Sequence, residues 1–533
     1  MNQRTSSSRR VLLLGFIALA FLPFAAVAQT MYEGQTESGA YYRIAVPDGW
    51  TPAGGLVIWN HGFDLDLPEP GPDLGPLVDI QLAEGYAVAA SSYSLNGWAL
   101  FQTLDDNQQL YEAFVDEVGV PDQVIVSGGS LGGIVTAQAI EGGGVGNVVG
   151  ALPICGAVAG SRVWNGAFDL RLLYDQICGE VPGGAIPGGA NGLPFPLPDG
   201  LDENALGFAI NTCTGILLPP AARTADQQER LDTLLEVSGL PENFILTDMG
   251  FATFGLADLI YDPRKMAGAN PFNNSNVDYG DDAINEGIER VSGDAEALDR
   301  FLEYYTPTGD VGDTKIVSIH TSGDGLVIVE NQSEYASVVP RRNLTVGVVE
   351  EDVPTHCGFT VAETVAAWES LRGWIAGLPQ PTVADLQGAC DALVAGGLAT
   401  GPCRYAPGFE VEDMDDRVRL REACVPGAST MCLNDERFKV EVNWSTAEDD
   451  GDGMVSPLRT DDTGSFWFFG PQNIDLMVKV LDGLQINGNY WVFYGSLSDV
   501  AFEITVTDTD NGRVRTYTNS LGEFASRGDT EAF

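Results

Sequence analysis

Residues 123–133 read Gln-Val-Ile-Val-Ser-Gly-Gly-Ser-Leu-Gly-Gly and run straight into Ile134-Val-Thr-Ala-Gln-Ala-Ile. The first half is a β-branched apolar strand and the second half a helix. Between them stands Ser130, in the pattern Gly128-x-Ser130-x-Gly132. A strand-to-helix turn this sharp forces its serine into a strained backbone and leaves the hydroxyl exposed above a sheet. The flanking glycines keep strand and helix from colliding. The same pattern also fits a glycine-rich turn without chemistry, so its meaning depends on the partners of Ser130.

On either side, apolar strands alternate with helices. Ala40–Pro47, Gly55–Gly62 and Tyr86–Tyr93 read as strands, Asp105–Glu117 as a helix, and Asn147–Cys155 as a further buried strand. This rhythm implies a mostly parallel sheet with helices on both faces. It stops over 156–312, where Gly/Pro-rich loops and amphipathic helices such as Thr224–Ser238 and Asp294–Tyr305 intervene. An insertion that long between strands reads as a cap over the site. Alternation resumes with Thr314–Thr321, Val327–Val339 and Leu344–Glu350, then a helix over Thr360–Ala376.

A Pro-, Gly- and Cys-rich linker is expected over 379–435. Beyond it, short alternating strands without helices predict an all-β sandwich over 436–533. No internal repeat is visible. Residues 1–28, with Arg4, Arg9 and Arg10 before a short apolar run and Ala26-Val27-Ala28, read as a cleaved export signal. The α/β region then spans 29–378 with its cap at 156–312. No later stretch reads as a membrane span, and a location outside the cytoplasm is expected.

A serine hydroxyl needs a general base, usually a histidine oriented by a carboxylate. The chain offers three histidines, His61, His320 and His356. His320 lies inside a strand, as a core residue, and His61 closes one, as support for its loop. His356 follows the last predicted strand, in Pro354-Thr355-His356-Cys357-Gly358, where a base reaches over a sheet edge. Asp324, in Thr321-Ser-Gly-Asp-Gly after the preceding strand, is the matching acid. Asn60-His61-Gly62-Phe63 closes the strand beside the nucleophile strand, so the N–H groups of Phe63 and Leu131 are the expected oxyanion donors.

The Asn-His-Gly-Phe loop, the Ser130 turn, the Asp324 loop and the His356 loop together resemble the α/β-hydrolase superfamily over residues 40–378. The resemblance implies an eight-stranded mostly parallel sheet and acyl transfer to water. In fungal tannases and feruloyl esterases, cysteines flank both serine and histidine. Here Cys357 follows His356 but Gly129 precedes Ser130, so that disulfide cannot form and the subfamily is not assigned.

Eight cysteines in an exported chain suit disulfides. Proximity favours Cys178–Cys213, Cys390–Cys403 and Cys424–Cys432, leaving Cys155 and Cys357 to pair or to stay free. With no C-x-x-C pair and three histidines, a Cys/His zinc site is not expected, and neither a metal nor an organic cofactor is called for. Asp449-Asp-Gly-Asp-Gly453 misses the EF-hand spacing and reads as an acidic hairpin tip. The aromatics Trp444, Phe466, Trp467, Phe468, Tyr490, Trp491, Phe493 and Tyr494 suit a sandwich core, with some left for an outer face that could contact a polymer or surface.

The net charge is −48, from 27 basic and 75 acidic residues. Loss of the leader leaves 24 basic residues, about −51. Only Lys265, Lys315, Lys439 and Lys479 are lysines. Such a surface excludes nucleic acid as a partner and suggests adaptation to a saline medium. The sequence therefore predicts a secreted serine esterase. A serine peptidase of the same fold is the nearest rival, and would need acids such as Asp64, Asp66, Asp281 or Asp282 to hold a substrate amine. A non-catalytic binding protein is the rival of another class.

Overall fold

The computed structural model describes residues 28–186, 197, 200–275, 277, 279–412, 414, 424–434, 436–487, 489–509 and 514–533. The expected leader, Ala28 excepted, lies outside them. Eight strands form the central sheet: β1 Gln29–Gln35, β2 Tyr41–Pro47, β3 Leu56–Asn60, β4 Ala87–Ser91, β5 Val124–Gly129, β6 Val148–Ile154, β7 Lys315–Thr321 and β8 Leu344–Val349. Their order is β1-β2-β4-β3-β5-β6-β7-β8. The pairs β1–β2 and β2–β4 are antiparallel, and every other pair is parallel.

Side chains alternate across this sheet. Ile44, Leu56, Ile58, Val124 and Val126 face one buried cluster, with Leu110 and Phe114 of helix Thr103–Glu117 and Ile134 of helix Leu131–Gly142. Ala45, Val57, Val88 and Ile125 face the other, with Leu82 and with Trp368 of helix Val361–Ile375. Burial on both faces is why the strands are apolar runs rather than alternating ones.

The stretch Val327–Val339 fits the alternation, since it holds helix Asn331–Val338, a crossover between parallel β7 and β8. Two readings are corrected. Part of the expected linker is structured, since helix Val383–Ala395 starts at a capping box of Thr382 and Asp385 and buries Leu386 and Cys390 against the sheet. Tyr405 then bridges Val349, the end of β8. Finally, the cap helix Glu242–Tyr261 is long and apolar enough to cross a bilayer, but most of it is buried within the fold. Its apolarity serves packing.

The C-terminal region holds two five-stranded antiparallel sheets around one apolar cluster. The strand Phe438–Ser445 buries Phe438, Val440, Val442 and Trp444 at alternate positions, and Phe466, Phe468 and Tyr494 join them. Trp467, Tyr490, Trp491 and Phe493 are half-buried, and Phe469 is 57% exposed. The acidic run supplies the short edge strand Asp450–Asp452, paired to strand Phe438–Ser445.

Candidate active site

Ser130 takes φ 57° and ψ −122° between β5 and helix Leu131–Gly142, the strained turn expected of this motif. The glycines are a packing necessity. A Cβ on Gly128 would lie 2.2 Å from the Gly132 carbonyl oxygen, and one on Gly132 would lie 2.0 Å from the Asn60 carbonyl oxygen. The Ser130 N–H donates to the Ile154 carbonyl at 3.0 Å, which fixes the turn to β6.

Asp324 and His356 are brought together at the end of the sheet. His356 Nδ1 lies 2.7 Å from Asp324 Oδ2, while Oδ1 accepts the Leu326 and Val327 N–H groups, each at 3.0 Å. The carboxylate is buried and fully partnered, so its orientation is fixed. His356 and Ser130 line one cavity with Gly62, Cys155 and Cys357. No hydrogen bond joins Ser130 to His356, and His356 Nε2 lies 3.5 Å from Cys357 Sγ. Hydrogen bonds of this kind often tighten only when substrate binds.

The other two histidines have structural partners. His61 Nδ1 donates to the Gly62 carbonyl at 2.8 Å, and its ring stacks on Tyr93 at 4.1 Å. Burial holds it below the usual imidazole range, so it braces the loop as a neutral group. His320 is fully buried beneath Asp324; Gln332 donates to its Nδ1, and its Nε2 donates to the Val327 carbonyl at 2.7 Å. Burial lowers its pKa too.

The loop carrying Phe63 packs against the serine, a Cβ on Gly62 falling 3.5 Å from Ser130 Cβ. Outside helices and strands, the N–H groups of Phe63 and Leu131 make no backbone hydrogen bond among the described residues.

All eight cysteines pair: Cys178–Cys213, Cys390–Cys403, Cys424–Cys432 and Cys155–Cys357. The only cluster of three potential metal ligands among the described residues is Cys155, His356 and Cys357. Both of its sulfurs are in the disulfide, which disqualifies it as a thiolate site.

A second pocket, of about 170 Å³, also reaches Ser130. Phe63, Leu131, Trp98, Trp164 and Phe251 line it, with two carboxyls, Asp169 and Asp248. Asp248 sits on the cap helix, one turn before Phe251, which packs on Phe63 at 4.8 Å. The start of that helix is tied to the imidazole loop: Asn243 Nδ2 donates to the Pro354 carbonyl at 3.0 Å. Burial, and then the charge of Asp324, hold the Asp248 carboxyl well above the ordinary range. Sequence reading passed over Asp248; the signal was one of two acids, with Asp258, inside the apolar run Phe244–Tyr261. It chose Asp281 and Asp282 instead, but Asp281 caps helix Asp282–Gly287 through the Ile284 N–H, and neither lines this pocket. Asp64 and Asp66 line a separate cleft beyond Phe63 and Phe251.

No family model matches the chain, and no curated protein sequence does either. Among solved structures it is similar to the esterase RhEst1 from Rhodococcus sp. ECU1013, at 16% identity over 65% of this chain and 99% of that one, TM-score 0.31. It is also similar to the rice cell wall degrading esterase LipA from Xanthomonas oryzae, at 15% identity over 66% and 88%, TM-score 0.32. A puromycin-hydrolyzing peptidase of Mycobacterium tuberculosis aligns at 15% identity over 68% and 42%, TM-score 0.33. The sheet order, with its antiparallel start and a strained serine turn after β5, defines the architecture. The chain has the α/β-hydrolase fold.

Proposed function

We propose that the protein is an exported serine hydrolase that cleaves carboxylic esters, with Ser130, His356 and Asp324 as its triad. What carries this reading is the strained Ser130 turn sharing a cavity with an imidazole that is held by a buried, fully partnered carboxylate. His356 Nε2 takes the hydroxyl proton as Ser130 Oγ bonds to the ester carbon. The oxyanion is held by the Phe63 and Leu131 N–H groups. The imidazolium, stabilised by Asp324, gives its proton to the leaving alcohol as the ester C–O bond breaks. Water then adds to the acyl-enzyme by the same route, freeing the acid and Ser130. Four disulfides are consistent with export.

The test is covalent labelling by a fluorophosphonate with p-nitrophenyl ester turnover measured in parallel. Both are expected in the native protein and absent from Ser130→Ala. A folded native protein that neither labels nor turns over esters would overturn the proposal and favour a binding role.

A further inference from the structure

We infer that the pocket lined by Asp248 receives an acyl group ending in a primary ammonium, and that Asp248 is its counter-ion. This rests on the ester-hydrolase reading above and narrows its substrate class to amine-bearing esters.

The two cavities meeting at Ser130 assign the sides of the substrate. His356 lines only the cavity that also holds Cys357 and Phe359. The imidazole must reach the leaving oxygen, so the alcohol departs on that side. The acyl group then occupies the other pocket, which shares Ser130, Phe63, Phe251 and Leu326 with the first but not His356. Its volume suits a short chain or one ring, since a cavity of about 150 Å³ accommodates benzene.

The chemistry of the acyl pocket is lopsided. Trp98, Trp164, Leu170 and Leu173 make it apolar, and its lining includes no lysine, arginine or histidine. The lining does include two carboxyls. Asp169 accepts the Tyr279 hydroxyl at 2.6 Å. Asp248 is 9% exposed, and its Oδ2 has no hydrogen-bond partner. A buried acceptor without a donor is costly, and a purely apolar acyl chain would leave it so. An ammonium supplies donors and charge together, offsets the nearby charge of Asp324, and meets the faces of Trp164 and Phe251. Docked, the ammonium pairs with Asp248 in its carboxylate form. A hydroxyl would donate one hydrogen bond but leave the field of Asp324 unopposed.

The experiment compares p-nitrophenyl esters of ε-aminocaproic, ω-hydroxycaproic and heptanoic acids, which have equal length and differ only at the end. In the native enzyme the amino ester is expected to exceed both others in kcat/KM by at least about tenfold, chiefly through KM. In Asp248→Asn, checked for folding by its melting temperature, that ratio is expected to collapse toward unity. Equal or better turnover of the heptanoate by the native enzyme would overturn the inference, as would an unchanged ratio in the variant. Should the variant not fold, hexylammonium as an inhibitor of heptanoate hydrolysis decides the matter. Competitive inhibition at least about tenfold stronger than by hexanol supports the inference, and parity overturns it. If none of the three esters is turned over and fluorophosphonate does not label, the hydrolase reading falls and takes this inference with it.

Discussion

Cys155 and Cys357 are bonded across 202 residues of chain, joining the residue that follows β6 to the one that follows His356. Because Ser130 donates its N–H to Ile154, next to Cys155, the cross-link connects the two halves of the site through a few covalent bonds. The residue beside Ser130 is Gly129, so the clamp is anchored one strand further along. Replacing both cysteines by alanine should cost about 2–4 kcal/mol of stability, read as a lower unfolding midpoint in guanidinium. It should also lower kcat about tenfold or more by loosening the imidazole. Unchanged kcat in a folded double variant would show that the loop holds itself.

The carboxylate of Asp324 accepts from Leu326 and Val327 on one oxygen and from His356 on the other. In Asp324→Asn either the amide N–H₂ faces His356 Nδ1 or it confronts two backbone donors. The first disfavours the tautomer that the proposed triad requires, and the second sets donor against donor at the Leu326 and Val327 N–H groups. Ester turnover should fall about 10³–10⁴-fold with little change in melting temperature. A loss smaller than about tenfold would remove Asp324 from the proposed triad.

Gly132 tolerates no side chain, because the Asn60 carbonyl would stand 2.0 Å from its Cβ and the His61 carbonyl 2.8 Å. Both neighbours are backbone and cannot rotate aside. Gly132→Ala should destabilise the fold by about 3 kcal/mol or prevent its recovery in soluble form. Differential scanning calorimetry of any soluble fraction measures this.

Glu84 lies between Trp368, Arg372 and Glu369, where burial first and the neighbouring Glu369 next push its pKa up to about 8. The folded protein therefore holds a proton there that the unfolded chain has released above its ordinary carboxylate range. Folding binds protons at this site, so its contribution to stability declines as pH rises from about 4.5 to 8. Glu84→Gln removes that titration. Its melting temperature relative to the native protein should rise steadily between those limits, and a pH-independent difference would contradict the assignment.

Much of this was legible in the residues. The glycine-flanked serine between a β-branched strand and a helix marks one member of the proposed site, and the order of Asp324 and His356 along the chain marks the others. Three of the disulfides followed from proximity alone. What escaped reading depends on long-range packing. Helix Val383–Ala395 is hidden by its Gly- and Cys-rich surroundings, although its Thr382–Asp385 capping box was available. Strand β1 carries so few apolar residues because it is an exposed edge paired on one side only. Asp248 was invisible because a single acid acquires meaning only when the cap folds it over Ser130.

The hydrogen bond from Asn243 to the Pro354 carbonyl couples the helix over the Asp248 pocket to the loop that carries His356, the base of the proposed triad. A bulky guest that lifts the helix must pull on the segment that aims the imidazole. Fit to the chamber and readiness for proton transfer are thereby tied, so that an ill-fitting molecule is penalised twice, once in docking and once in reacting.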